Sequence, residues 1–172
     1  MKEPIAFITN IFYITLGIIL FPNPLFIPFI GLGMTSALYH GTKEKKWQKA
    51  DVRWMYFTMN SLIVYHIWIM SDVSLFYAYF FAIGLTLWMW KNLDDYSSTY
   101  TIAWQITLLS LLAIGNGYSL IFLPLFILAF TCNVPFLGRY HITEGWKFIY
   151  VDIFHGFWHL FTAMGFYFLI YQ

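Results

Sequence analysis

Runs of apolar residues, broken by short polar or Pro- and Gly-rich stretches, recur along the whole chain. A helix that crosses a bilayer takes about 17–25 residues. The runs and the punctuation between them predict seven helices of this kind. The predicted spans are 5–21, 25–41, 52–70, 73–90, 97–114, 117–133 and 150–171. We therefore expect an all-α membrane protein that folds as a seven-transmembrane-helix bundle.

The predicted connections are short. The first polar loop is expected at 43–49, a tight turn at Ser71-Asp72, and the longest connection at 134–149. Seven spanning helices use about 140 residues, which leaves little of the 172-residue chain for loops and ends. We expect one membrane domain, 1–172, without a separate soluble domain.

Composition supports the membrane interpretation. Hydrophobic residues make up 60% of the chain and charged residues only 10%, whereas a soluble domain has about 25% charged residues. The net charge of +1 says nothing about nucleic acid, but no basic stretch is long enough to suggest a nucleic-acid partner, and none is expected. The single cysteine, Cys132, cannot form an internal disulfide.

Positive charge is distributed unevenly between the two predicted sides of the membrane. With seven spans, the N-terminus and the second, fourth and sixth connections share one side, and the opposite side carries only Asp72. The charged side holds all nine basic residues: Lys2, Lys43, Lys45, Lys46, Lys49, Arg53, Lys91, Arg139 and Lys147. By the positive-inside rule this side is cytoplasmic. The N-terminus is therefore expected in the cytoplasm and the C-terminus outside.

Two histidines in the last predicted helix, His155 and His159, are the clearest sign of chemistry. Residues four apart share one face of a helix, with Cβ atoms about 5–6 Å apart. That spacing suits two ligands of one metal ion, which takes nitrogen ligands at about 2.0–2.1 Å. An ionisable side chain within an apolar span is energetically expensive, and it therefore marks a functional site.

Further polar residues are expected at the same depth. Ser36 and His40 share a face at the end of the second helix, and Asp51 opens the third. We predict a zinc ion bound by His40, His155 and His159, with a fourth position left for water as in catalytic zinc sites. Asp51 would exchange a proton with that water, and Ser36 would hydrogen-bond the water or the developing oxyanion. The plainer alternatives are a helix cap for Asp51 and a helix contact for Ser36.

Three blocks of this sequence resemble the alkaline ceramidases, which belong to a wider membrane-hydrolase superfamily with the adiponectin and progestin receptors. The opening block is 3–10, which includes Glu3. The other two blocks are Ser36-x3-His40-x-Thr42-x5-Gln48-x2-Asp51 and His155-x2-Trp158-His159-x2-Thr162-x2-Gly165. The order of the blocks and the predicted seven-helix arrangement also match that family.

The resemblance implies zinc on the three histidines, with Ser36 and Asp51 around the metal water. It also implies hydrolysis of a long-chain amide such as ceramide to a fatty acid and a sphingoid base. The family's calcium-binding acidic cluster is reduced here to Glu3, which argues against calcium. The minimal loops suggest a bacterial or otherwise reduced member, which places the chain in a bacterial inner membrane. The predicted partner is therefore a membrane lipid, and the oligomeric state stays open.

Two alternatives remain from the sequence. A receptor-like or lipid-binding sensor of the same superfamily would hold zinc structurally and hydrolyse little. A haem protein would use paired histidines, but ligands four apart bind a metal from one side, whereas bis-axial haem ligation needs two opposite sides. Two other polar residues are expected to be structural: His66 as a packed or interfacial histidine, and Asp152 as an interfacial charge or as an acceptor that orients a ligand.

Overall fold

The structure, a computed structural model, describes residues 2–69, 71, 74–92, 98–117, 121–133 and 146–171. Within these ranges the chain is all-α, as the sequence predicts. The helices are α1 (Pro4–Thr9), α2 (Ile11–Leu20), α3 (Phe26–Thr42), α4 (Lys45–Ile69), α5 (Leu75–Asn92), α6 (Ser98–Gly115), α7 (Phe122–Asn133) and α8 (Trp146–Ile170). Asp72 and Arg139, and most of the predicted connection at 134–149, lie outside the described residues.

Among the described residues, one helical stretch is both long and apolar enough to cross a membrane, and this is Ile149–Ile170. Three further stretches are apolar but shorter: Pro4–Leu20, Trp104–Gly115 and Phe122–Cys132. The all-α class is therefore established together with one candidate span.

The first predicted helix is divided at Asn10 into α1 and α2. The backbone of Asn10 is itself helical, and its side-chain amide donates a hydrogen bond to the carbonyl of Ala6 at 2.7 Å. The two helices therefore follow one another closely.

The third predicted helix begins earlier than its hydrophobic pattern indicates. The backbone carbonyl of Glu44 accepts hydrogen bonds from the N–H groups of Trp47 and Gln48, so α4 starts at Lys45 and the connection from α3 is very short. Asp51 lies inside α4 and does not open it. The expectation that Asp51 begins this helix is wrong, and with it the alternative that Asp51 caps it.

Contacts between α2 and α3, α3 and α4, α4 and α5, and α7 and α8 show that these successive helices run in opposite directions. α8 runs parallel to α1, whereas α3 runs antiparallel to α2, α4 to α3, α5 to α4 and α8 to α7. Two contacts fix each of these directions. They are Ile5–Asp152 and Thr9–His159 for α1 and α8, Gly17–Phe26 and Gly33–Asn10 for α2 and α3, and Thr58–Pro28 and Gly31–Trp54 for α3 and α4. For α4 and α5 they are Arg53–Trp90 and Asn60–Thr86, and for α7 and α8 they are Phe130–Trp158 and Phe126–Phe166. Consequently the start of α1, the end of α3, the start of α4 and the first half of α8 meet at one end of the bundle.

The core is aromatic at its centre, and the outer faces are also apolar. Phe166 of α8 packs between Phe29 and Phe126, with ring centroids at 5.5 and 5.3 Å. On the outside, large side chains such as those of Phe76 and Trp104 are more than 70% exposed. Exposed apolar faces of this extent are unusual for a monomer in water.

Two glycines allow α2 and α3 to approach closely. A Cβ atom on Gly33 would lie 2.6 Å from the side chain of Ile14 and 3.1 Å from the backbone of Asn10. A Cβ atom on Gly17 would lie 2.6 Å from the side chain of Ile30. Small residues at such contacts let helix backbones pack against each other.

We predict that Gly33→Ala destabilises the protein by about 1–3 kcal/mol, because the added methyl group overpacks the contact. Gly84→Ala is the matched control, since nothing lies within 4 Å of a Cβ at that helical position. That change is expected to leave stability equal or higher by up to about 1 kcal/mol. Thermal unfolding of both variants in detergent measures the difference, and equal midpoints would contradict the close contact.

Candidate metal centre

Three buried histidines form the centre of the candidate site. His40 comes from the last turns of α3, and His155 and His159 come from one face of α8. Their exposed fractions are 1%, 8% and 3%. One ring nitrogen from each can be chosen so that all three nitrogens lie within 4.8 Å of one another. The structure therefore brings together the three residues that the sequence nominates as metal ligands.

The three rings form a compact triangle. Ring centroids are 4.7 Å apart for His40 and His155, 4.7 Å for His155 and His159, and 5.2 Å for His40 and His159. The Nε2 atoms of His40 and His155 are 3.2 Å apart. Two nitrogen ligands on one tetrahedral zinc ion lie about 3.3 Å apart, given bonds of about 2.0–2.1 Å. The observed separation fits this donor set.

Neighbouring side chains fix which ring nitrogen faces inward. The Nδ1 atom of His40 contacts the carboxylate of Glu3, which can only accept a hydrogen bond when it is ionised. The Nδ1 atom of His159 lies 3.1 Å from the hydroxyl of Thr9. That hydroxyl directs its proton to the carbonyls of Ile5 and Ala6 at 2.9 and 3.1 Å, so it accepts from His159. Both histidines are thus held with Nδ1 protonated and the lone pair of Nε2 available for a metal.

Glu3 directly precedes α1 and Thr9 is its last residue, and Asp152 holds this helix in place. The carboxylate of Asp152 accepts the backbone N–H groups of Ile5 at 3.0 Å and Ala6 at 2.8 Å. These are first-turn N–H groups, which have no partner within their own helix. Asp152 is buried at 2% exposure, so the prediction of an interfacial charge is wrong. Each of its two oxygens accepts an N–H group of α1.

Gly156 also allows α1 to pack closely against α8. A Cβ atom there would lie 2.8 Å from the side chain of Ile5 and 3.3 Å from that of Thr9. The residue directly after His155 therefore has to be small for α1 to reach its position beside His159.

Lys43 closes the site on the side of the α3–α4 connection. It ends α3 in a left-handed conformation, with φ of 59°, and its ammonium group contacts the Glu3 carboxylate and lies 4.3 Å above the ring of Tyr39. Burial lowers the pKa of Lys43, and the charge of Glu3 acts in the opposite direction. Glu3 therefore joins a cation on one side to the imidazole of His40 on the other.

Ser36, one turn before His40 in α3, lies close to Asp51 of α4. Both are buried, at 3% and 9% exposure, and the Ser36 hydroxyl is close enough to interact with the Asp51 carboxyl group. The Oδ1 atom of Asp51 has no hydrogen-bond partner among the described residues. Asp51 does not belong to the compact set of ligand atoms. A buried carboxylate oxygen without a protein partner is suited to a water molecule or a substrate group.

A narrow apolar cavity begins next to the histidines. Tyr13 and Trp158 line it, and the Tyr13 ring contacts the His159 ring at a centroid distance of 5.6 Å. Its other walls come from α3, α4 and α6 as well as α8: Leu32, Met55, Thr58, Met59, Ile102, Ile106, Thr162 and Phe166. A small space lined mostly by apolar side chains therefore lies next to the histidines, on the far side of the Tyr13 ring.

Sequence reasoning missed the roles of Thr9 and Asp152 and reached Glu3 only through a resemblance. Thr9 is a small hydroxyl residue in an apolar helix, and nothing in its neighbourhood signals a contact 150 residues away. His66, the histidine of α4, is fully buried, which agrees with a packed residue. His141 lies outside the described residues.

We predict that Glu3→Gln weakens metal binding by roughly 10- to 100-fold, the usual effect of losing a hydrogen-bonding partner of a metal-binding histidine. Titration of the purified, metal-stripped protein with zinc gives the affinity. Glu44→Gln is the control, because Glu44 pairs only with the exposed Lys46 in the described structure. Equal affinities in the two variants would show that Glu3 does not support His40.

Comparison of the chain with protein-family models, with curated proteins and with solved structures finds no match. A family is therefore not assigned by overall similarity. The likeness to the alkaline ceramidases rests on the motif residues described above, and those residues now have positions in a fold.

Proposed function

We propose that the chain is a seven-span membrane zinc hydrolase of the alkaline ceramidase type, which cleaves a lipid amide to a fatty acid and an amine. The observation that carries the proposal is the convergence of three buried imidazoles, two of which have their outer nitrogens engaged by Glu3 and Thr9. Neutral imidazoles whose lone pairs point at one another in a buried space are stabilised when a cation binds between them.

The membrane part of the proposal rests on the surface and on the helix directions. Large apolar side chains cover the outer faces, and neighbouring helices alternate in direction as successive spans must. The basic residues at the ends of α3, α4 and α5 lie at the end of the bundle that holds the histidines. A cytoplasmic N-terminus follows from the positive-inside rule, and the minimal loops favour a bacterial inner membrane.

Zinc fits the donor set better than the other common divalent ions. Imidazole nitrogens suit zinc, whereas calcium and magnesium take oxygen ligands. Calcium is not expected to bind here, because the Glu3 carboxylate is engaged by His40 and Lys43. When bound, zinc supplies a Lewis acid and makes water a nucleophile near neutral pH.

Asp51 and Ser36 have the positions needed for the proton transfers. The unpartnered oxygen of Asp51 is available to take a proton from water and return it to the leaving amine. The hydroxyl of Ser36 orients that carboxylate and is available to hydrogen-bond the oxyanion. The small cavity at Tyr13 and Trp158 would have to widen to take the acyl chain, which would enter from the bilayer without crossing water.

We predict that His159→Ala abolishes stoichiometric zinc binding, because two remaining ligands hold the ion too weakly. Asp51→Asn, which keeps the size of the side chain, should retain zinc and lose turnover by roughly 10²- to 10⁴-fold, the usual contribution of a general base. Elemental analysis and hydrolysis assays on the same preparations separate the two effects. Full zinc content in the His159 variant would refute the assignment of the ligands.

Purified zinc-loaded protein incubated with a panel of long-chain amides, ceramide included, tests the reaction itself. We expect release of free fatty acid that stops when zinc is chelated and returns on adding zinc back. Stoichiometric zinc without release of any fatty acid would favour the receptor-like alternative, in which the metal is structural.

A further inference from the structure

Three hydroxyl groups line the apolar cavity, and each has its proton committed to the protein. Thr58 donates to the carbonyls of Pro28 at 3.1 Å and Trp54 at 2.8 Å. Thr162 donates to the carbonyl of Trp158, one turn back in α8. Tyr13 donates to the Thr162 oxygen at 3.1 Å. Because a carbonyl oxygen can only accept, the direction of each of these hydrogen bonds is fixed.

Tyr13, which lines the cavity, is consequently left with acceptor capacity only. Its phenol oxygen has given its one proton to Thr162, and it retains lone-pair capacity for a further hydrogen bond. The side chain is 4% exposed, and its ring packs against the metal-facing His159. Tyr13 therefore belongs both to the cavity lining and to the surroundings of His159, and it brings a buried acceptor close to the histidines.

We propose that Tyr13 accepts a hydrogen bond from the N–H group of the scissile amide and so selects secondary amides over esters. This inference rests on the proposed function, since it names the substrate class of the same site. The carbonyl of such an amide would face the histidine triangle, and its nitrogen side would face Tyr13. An ester places an oxygen with lone pairs at that position, so the phenol oxygen would meet a second acceptor and no hydrogen bond would form.

The test compares binding of two ligands that differ by one group, N-methylhexadecanamide and methyl hexadecanoate. The full chain, zinc-loaded and carrying Asp51→Asn to suppress turnover, is titrated with each ligand in detergent. Because Trp158 lines the cavity, tryptophan fluorescence reports occupancy, with native mass spectrometry as a second readout. One neutral hydrogen bond corresponds to a preference of roughly 2- to 12-fold for the amide.

Tyr13→Phe in the same background is expected to reduce the amide-to-ester ratio of affinities by that factor, with little change for the ester. Thr162→Val, a change of nearly equal volume, releases the phenol proton so that Tyr13 can donate as well as accept. That variant should also lose discrimination, by gaining affinity for the ester. A purely structural role for Tyr13 would weaken both ligands alike and leave the ratio unchanged.

Tyr65→Phe is the control, because this phenol lies on α4 outside the residues that line the cavity. The amide-to-ester ratio of affinities in the Tyr65→Phe variant should equal that of the parent protein. An unchanged ratio in both Tyr13→Phe and Thr162→Val, or an equal drop in Tyr65→Phe, overturns the role of Tyr13.

The binding test and the hydrolysis assay distinguish failure of the Tyr13 proposal from failure of the hydrolase proposal. Amide hydrolysis together with an unaltered ratio in Tyr13→Phe would remove the role of Tyr13 and leave the hydrolase proposal standing. A ratio that depends on Tyr13 in a protein that releases no fatty acid would refute hydrolysis and support a binding protein that selects amides.

Discussion

The arrangement of the site depends on one carboxylate, that of Asp152, which binds the first turn of α1. A helix that starts inside a bundle exposes N–H groups that have no partner of their own, and burying them unpaired costs about 1–3 kcal/mol each. Asp152 accepts two of them, and it places a negative charge where the helix dipole favours one. This contact sets the position of α1, and with it the positions of Glu3 beside His40 and Thr9 beside His159.

The charges around the triangle also favour a divalent cation. Glu3, Asp51 and Asp152 supply three carboxylates and Lys43 one ammonium group, which leaves a formal charge of −2 in their ionised forms. A buried excess of negative charge is costly unless a partner compensates it, and the bound ion is often the largest local charge in such a site. A doubly charged metal held by neutral histidines, as proposed, would offset negative charge on these carboxylates.

Sequence reasoning reached the elements of the site but not the contacts that support it. The pairing of His155 with His159, and of Ser36 with His40, follows from helical spacing alone, because side chains four residues apart share a face. The meeting of α3 and α8 follows from the alternation of helix directions. The start of α4 did not follow, because the hydrophobic pattern marks where a helix becomes apolar and not where its hydrogen bonds begin. Glu44 begins the turn without any apolar signal, and Asp51 therefore lies inside the helix. Asp152 and Thr9 were missed because their partners are backbone groups and a ring at the other end of the chain.

The two supporting contacts of α1 join residues separated by almost the whole sequence, 147 positions for Ile5 and Asp152 and 150 for Thr9 and His159. During synthesis, α1, α2 and α3 are complete long before α8 leaves the ribosome. Until then His40 is the only one of the three ligands that has been made, and the first turn of α1 lacks its acceptor. The proposed metal could therefore be bound only after α8 has been made, and it would join α3 to the last helix of the chain.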